Sequence, residues 1–153
     1  MAKDPSASIV ALLPTGMEQL LAIMGGATPP PAMAETLGFS LAEVGPGRAV
    51  FVGRPDETVY NPLGTVHGGY AATLLDSAIG CAVHSELGPG QGYTTLELKV
   101  AFHRPLTKDS GEIRAEGKTI QVGRRAAFGE ARLTDAQGRL CATATSTLLV
   151  FEQ

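Results

Sequence analysis

The sequence has only two cysteines and no long apolar run, and both shortages exclude classes of protein. Cys81 and Cys141 are too few for a disulfide framework, and their spacing is not that of a CxxC metal site. No stretch of about 18 apolar residues is free of charge, which speaks against a membrane-spanning helix. Residues 1–5 lack the basic-then-apolar pattern of a secretory signal, so we expect a reduced, cytoplasmic compartment.

Positive charge is also scarce. The chain has 12 Lys and Arg against 15 Asp and Glu, a formal net charge of −3, whereas nucleic-acid-binding proteins are usually basic. We therefore expect no nucleic-acid partner. Residues 104–125 nevertheless carry six basic side chains against three acidic ones. This local excess suits a small polyanion, although ordinary solvated strand faces would explain it equally well.

Several familiar catalytic and cofactor motifs are missing. The sequence contains no GxSxG, no HExxH spacing among its three histidines, no GxGxxG after a predicted strand and no Walker loop. We therefore expect neither a serine hydrolase of the GxSxG type, nor a metal centre, nor a nucleotide cofactor.

The residues that are present predict one domain preceded by an arm. With 153 residues and 44% hydrophobic side chains, the chain can bury about two-thirds of its unfolded surface. Thr15 can cap a short helix at 16–24, and the prolines at 29–31 form an extended connector. We predict that residues 1–31 are a helical arm and that residues 32–153 form a single domain.

Hydrophobic periodicity predicts an α+β fold. One long helix is expected from His67 to Leu87, with apolar residues nearly all round it, so it should be buried. Strands are expected at 38–44, 47–54, from Gly92 to Pro105, and at 111–121, 125–134 and 139–151. Four consecutive strands joined by short turns imply an antiparallel sheet that wraps the helix.

The strand after Gly92 alternates most clearly. Leu96, Leu98, Val100 and Phe102 occupy one face, and Thr95, Glu97, Lys99 and His103 occupy the other. This period of two is typical of a half-buried strand. On this reading Thr95 lies on the polar face of the sheet, away from the helix.

The start of the long helix is a candidate oxyanion site. The segment from Asn61 to Gly69 runs directly into the helix and contains three glycines. Free N–H groups at a helix start, with the positive end of its dipole, attract developing negative charge. The alternative is that these glycines only permit tight packing of the loop against the helix.

Two further side chains are candidates for chemistry. Asp76 lies in the middle of an apolar helix, where a carboxylate is costly unless it is paired or used as a base or nucleophile. A structural acid bonded to a neighbouring strand is the alternative. His67, at the helix start, serves either as a general base or, in our preferred interpretation, as a support for the loop.

Spacing along the helix predicts a shared site. Gly69 and Asp76 are about 10.5 Å apart along a helix, too far for both to contact one carbonyl group. A symmetric dimer in which Asp76 of one chain faces Gly69 of its partner removes this difficulty. We therefore expect a homo-oligomer with shared active sites.

One combination of residues resembles a known family. The motif His67-Gly68-Gly69, followed by Asp76 and preceded by Asn61, is similar to that of the hotdog-fold acyl-CoA thioesterases, in particular the phenylacetyl-CoA thioesterase-like group. The resemblance covers about residues 38–151 and includes the strand end at 102–105. It implies an antiparallel sheet wrapped around one central helix, and a homodimer or homotetramer that hydrolyses acyl-CoA thioesters, with an aryl or medium-chain acyl group.

The resemblance also implies roles for individual residues. Asp76 would act as general base or nucleophile, the Gly69 N–H would polarise the thioester carbonyl, and His67 would support the loop. Asn61 would orient water or substrate, and Thr95 would help to place the water. Coenzyme A carries phosphates, for which Arg124 and Arg125 are the first candidates and Arg104 the next.

Two other functions remain open from the sequence. An enoyl-thioester hydratase or dehydratase shares the hotdog architecture, but it needs an acid/base pair that the His67 motif does not obviously supply. A non-catalytic acyl-CoA-binding module is the other alternative. Release of free thiol from acyl-CoA substrates separates all three.

Overall fold

The computed structural model describes residues 13–153, which form an antiparallel six-stranded sheet with one long helix packed on it. The strands are β1 (Phe39–Gly45), β2 (Arg48–Gly53), β3 (Gln91–Phe102), β4 (Ile113–Val122), β5 (Ala126–Thr134) and β6 (Leu140–Glu152). The helices are α1 (Gly16–Met24), α2 (Ala32–Leu37) and α3 (Gly68–His84), with 3-10 turns at Glu57–Val59 and Lys108–Ser110. The predicted fold class is confirmed.

Helix α3 lies at the centre of the core and contacts all six strands. Its side chains Leu74, Leu75 and Ile79 are fully buried, as the apolar surface all round the helix predicts. Two strands approach α3 closely because they carry glycine there. A Cβ on Gly117 would lie 2.3 Å from the backbone of Ala78, so no larger residue fits at this crossing.

The strand order is β1-β2-β4-β5-β6-β3, and every neighbouring pair is antiparallel. The predicted run of four sequential strands is wrong in one respect. β3 does not pair with β4 but lies beside β6 at an edge of the sheet. The chain crosses from that edge to the middle of the sheet, where β4 pairs with β2, so local turns do not determine this pairing.

The alternation predicted for β3 is also wrong in its first half. The pairing with β6 shifts between Thr95 and Glu97, which is a β-bulge at Leu96. Tyr93 and Thr95 before the bulge face α3, and so do Leu98 and Val100 after it. Leu96 itself is 60% exposed. The bulge therefore moves Thr95 from the predicted polar face to the helix-facing side.

The described part of the arm lies against the domain. Thr15 caps α1 with a capping box, as predicted, and Leu20 is buried. The N–H of Gly16 donates to the carbonyl of Leu87, just beyond α3. Helix α2, which follows the proline run, was not predicted from the sequence. No helix within residues 13–153 is long and apolar enough to cross a membrane.

Candidate active site

The structure brings Asp76 and Thr95 together. The Thr95 hydroxyl donates a hydrogen bond of 3.0 Å to Oδ1 of Asp76. Asp76 is half-buried, and its carboxylate lines a pocket of about 220 Å³ together with Ser77, Cys81 and Tyr93. Among residues 13–153 no hydrogen bond engages Oδ2 of Asp76, so that oxygen is available to a molecule in the pocket.

The two other titratable groups in this pocket stay neutral near pH 7. Burial, and secondarily the charge of Asp76, raise the pKa of the Cys81 thiol to about 12. Burial also raises the pKa of the Tyr93 hydroxyl, with smaller contributions from Cys81 and Asp76. A thiol with so high a pKa is a poor nucleophile at neutral pH. Among residues 13–153, Asp76 is the one carboxylate that lines this pocket.

At the start of α3, His67 engages the N–H of Gly69. His67 is the N-cap, and its Nδ1 accepts a hydrogen bond of 2.8 Å from that N–H. An Nδ1 that accepts in this way carries no proton, so the neutral ring holds its proton on Nε2. The predicted support role of His67 thus has a geometric basis. The same contact occupies the donor that the sequence analysis assigned to the thioester carbonyl.

The donor left over at this helix start belongs to Gly68. No acceptor for the Gly68 N–H is found within residues 13–153. The ring of Phe102 lies against this glycine, since a Cβ there would approach the ring to 3.0 Å. The oxyanion role was predicted for Gly69, but the His67 ring engages the Gly69 N–H, and the donor left free within residues 13–153 is that of Gly68.

Asn61 is used within its own loop. Its Oδ1 accepts from the N–H groups of Leu63 and Thr65, and its Nδ2 donates to the Thr65 hydroxyl. These three contacts form a closed turn that leads to the start of α3. In this conformation the amide shapes the loop. The second hydrogen of its Nδ2 has no acceptor within residues 13–153, so the amide retains one donor for water or substrate.

The two halves of the predicted site face different pockets. His67 and Gly69 line a pocket of about 350 Å³, and Gly68 lines another of about 340 Å³ together with Phe102 and Arg104. Neither pocket includes Asp76, which is eight positions beyond Gly68, about 12 Å along a helix. One chain does not assemble these groups around a single carbonyl.

The three candidate arginines do not form one cluster in the chain. All three are exposed. The N–H of Arg104 donates to Cys141 at the start of β6, whereas the carbonyl of Arg125 accepts from Val150 near its end. These points are nine positions apart on the strand, or about 30 Å. Arg104 shares the end of the sheet with the start of α3, and Arg124 and Arg125 line a pocket at the opposite end.

No metal centre is formed in the part of the chain that the structure describes. No three His, Cys, Asp or Glu side chains of residues 13–153 are grouped closely enough to bind a metal ion. His67, His84 and His103 each contact a different partner: Gly69, Gln19 and Thr143, respectively.

Comparison with known proteins identifies the family. The sequence model of the thioesterase superfamily matches residues 63–142, more than half of the chain, and this range includes both the start of α3 and the pair Asp76–Thr95. The chain belongs to the thioesterase superfamily. It is a thioester hydrolase with the hotdog fold, as the resemblance implied.

Individual relatives agree with this membership. The chain is 25% identical over 118 residues to the 1,4-dihydroxy-2-naphthoyl-CoA hydrolase of Listeria monocytogenes, covering 77% of this chain and 94% of that protein. It is 32% identical over 88 residues to the proofreading thioesterase EntH of Klebsiella pneumoniae, and this match covers 58% of this chain and 63% of that protein. The structure of a phenylacetic acid degradation-related protein of Ralstonia eutropha superposes with a TM-score of 0.77 at 30% sequence identity. The superposition covers 85% of this chain and 98% of that chain.

Proposed function

We propose that this thioesterase hydrolyses acyl-CoA thioesters that carry an aryl or medium-chain acyl group. The observation that carries the proposal is Asp76, which is held by Thr95 and lines a pocket whose other walls are mostly apolar and aromatic. A cavity of about 220 Å³ is smaller than the roughly 300–1,000 Å³ typical of drug-sized ligand sites, which suits a ring or a short chain. One relative is named as a hydrolase of an aromatic acyl-CoA, 1,4-dihydroxy-2-naphthoyl-CoA, which agrees with this choice.

Asp76 supplies the base or nucleophile in this proposal. The Thr95 hydroxyl holds one carboxylate oxygen, so the other oxygen points at water or at the thioester carbon in a fixed direction. As a general base, Asp76 takes a proton from water while the water oxygen attacks the carbonyl carbon. Collapse of the tetrahedral intermediate then breaks the carbon–sulfur bond and expels the thiolate, which takes the proton back from Asp76, so that the acid and the thiol are released.

The oxyanion donor in this proposal is the N–H of Gly68. It is free within residues 13–153 and lies at the positive end of the α3 dipole, which favours a developing negative charge. The Gly69 N–H takes part only if the His67 ring turns away. His67 otherwise keeps the loop in place by accepting from Gly69.

A symmetric dimer joined along β3 would complete the site. β3 is an edge strand of 12 residues, and nothing in residues 13–153 pairs with its outer edge. Long open edges of this kind favour pairing with another strand. Phe102 lies against Gly68, and Thr95 contacts Asp76. An antiparallel pairing centred on Lys99, in which the bulge at Leu96 takes up one residue, would set Thr95 of each chain opposite Phe102 of its partner.

The same dimer would unite the arginines. Antiparallel pairing of two β3 strands brings the Arg104 end of one chain beside the opposite end of its partner, where that chain carries Arg124 and Arg125. Exposed guanidinium groups from both chains would then surround one face of the shared site. Arginine binds phosphate in a bidentate manner, so this arrangement suits the phosphates of coenzyme A.

Free-thiol release from a panel of acyl-CoA substrates tests the proposal. We expect hydrolysis of phenylacetyl-CoA and hexanoyl-CoA, and a fall of kcat by about a hundredfold or more in Asp76→Asn, because base catalysis is lost. Glu86→Gln, which changes an exposed carboxylate just beyond α3, is the matched control and should retain parental activity. An Asp76→Asn enzyme as active as the parent would contradict the assigned chemistry.

A further inference from the structure

The pocket beside Asp76 is closed on one side by the segment that follows the proline run. Its walls come from two parts of the chain. Asp76, Ser77 and Cys81 of α3 line it together with Tyr93 of β3 and Phe51 of β2. The other part is the segment from Pro31 to Phe39, which contributes Pro31 just before α2, Met33 and Ala34 of α2, and Phe39, the first residue of β1. This segment precedes residues 63–142, which match the superfamily model.

Most of this wall is held rigidly. Ala34 is only 3% exposed, and the N–H of Gly38, in a left-handed conformation at φ 70°, ends α2 by donating to Ala34. Phe39 packs edge-on against Phe51, with ring centroids 5.7 Å apart. Tyr93 packs against the ring of His84, with ring centroids 5.6 Å apart. The backbone of α2 and the aromatic side chains therefore set a pocket of fixed width.

Met33 is the exception. Its side chain lines the pocket but is 57% exposed, so it lies at the rim where the pocket meets solvent. Methionine is unbranched and adaptable, and it fills irregular gaps against apolar groups. An acyl group with its thioester at Asp76 would therefore meet Met33 where the group extends toward the rim.

We propose that Met33 of α2 is a specificity-determining residue that limits the length of the acyl group accepted beside Asp76. This inference rests on the proposed function, since it assumes that the acyl group occupies this pocket. The occupant is an uncharged acyl chain or ring, because the walls formed by residues 13–153 offer apolar and aromatic surface and a single carboxylate, that of Asp76. Asp76 would also repel an acyl group that ends in a second carboxylate.

The test measures kcat/KM for hexanoyl-, octanoyl- and decanoyl-CoA in the full-length chain. Met33→Ala removes the obstruction and should raise the kcat/KM for decanoyl-CoA relative to that for hexanoyl-CoA by about tenfold. Hydrophobic pockets discriminate between substrates of different chain length by factors of this size. Met33→Phe should lower the same ratio. Met24→Ala is the matched control, because Met24 is also an exposed methionine of the arm but does not line the pocket.

The outcomes separate this inference from the proposed function. An active parent whose Met33 variants keep the parental chain-length profile would overturn the inference alone, as would a change that scales all three substrates equally. A parent that releases no thiol from any acyl-CoA would overturn the proposed function, and the inference with it. Thermal unfolding of each variant confirms that the comparison is made between folded proteins, and Met33→Phe provides a second, opposite prediction.

Discussion

The beginning and the middle of α3 differ in the kind of polar group they carry and in how far it is buried. At the beginning, the loop is exposed, and the donors are backbone N–H groups, one bonded to His67 and one free. In the middle, a single carboxylate, Asp76, is half-buried among apolar side chains and held by Thr95. The first region is suited to receive negative charge, and the second is suited to supply a base. Within one chain they face different pockets, and in the proposed mechanism each supplies half of the shared site.

The largest effect is expected at Gly68. Proline is tolerated at the first position of a helix, and the backbone of His67, at φ −59° and ψ 135°, is compatible with a proline after it. Gly68→Pro therefore removes the free N–H with little change in the helix. We expect kcat to fall by about a hundredfold or more relative to Gly68→Ala, which keeps the N–H.

Gly68→Ala is the control because it adds only a Cβ near Phe102. Circular dichroism and thermal unfolding establish that both variants are folded. If the proline and alanine variants have equal kcat, the Gly68 N–H is not the oxyanion donor, and the beginning of α3 contributes shape alone.

A smaller effect is expected at Thr95. Thr95→Val removes the hydroxyl that bonds to Asp76 but keeps the branched shape, and we expect kcat to fall by about tenfold, because the carboxylate loses its orientation. Thr95→Ser retains the hydroxyl and should keep most of the activity. Equal losses in the valine and serine variants would mean that packing on β3, rather than the hydrogen bond, is what matters.

The arginines should affect substrate binding more than turnover. We expect Arg104→Ala to raise KM for acyl-CoA a few-fold with little change in kcat, and Arg124→Ala with Arg125→Ala to do the same if the partner's arginines reach the shared site. The matched substrate is the acyl-N-acetylcysteamine thioester, which lacks the phosphates. The KM for this thioester should stay at the parental value in all three arginine variants. A KM increase for both substrates would contradict the phosphate-binding role.

The smallest effect concerns the far end of α3, where α1 docks. His84 Nε2 contacts Oε1 of Gln19 at 3.1 Å, and burial lowers the pKa of His84 below its usual 6.5. The unfolded chain therefore binds this proton more readily than the folded one, and stability falls as pH drops below about 6.5. The melting temperature of the parent should decrease more between pH 7.5 and 5 than that of His84→Gln. Parallel curves would contradict this.

Local features of the fold were predicted well from the sequence. The bounds of α1, its Thr15 cap, the long helix and the strands all follow from capping signals and periodicity over a few residues. The pairing of β3 with β6 does not follow, because it joins segments about 50 residues apart and no turn dictates it. Helix α2 has only six residues and follows three prolines, so it carries no periodic signal.

The site was predicted in its residues but not in its contacts. Periodicity alone assigned Thr95 to the polar face, while the family resemblance placed it near Asp76. The bulge at Leu96 resolves this conflict by shifting the alternation by one residue. Likewise, the oxyanion role was predicted for Gly69, whereas within residues 13–153 the His67 ring engages that N–H and leaves the N–H of Gly68 free.

Subunit complementation tests the shared site most directly. Gly68→Pro and Asp76→Asn chains are each inactive in this account, but a mixed dimer contains one site with an intact Gly68 from one chain and an intact Asp76 from its partner. Random reassociation makes half of the dimers mixed, each with one working site of two, so about a quarter of the parental kcat should return. If the mixture stays as inactive as the separate variants, Asp76 does not work with its partner's Gly68, and the account is wrong.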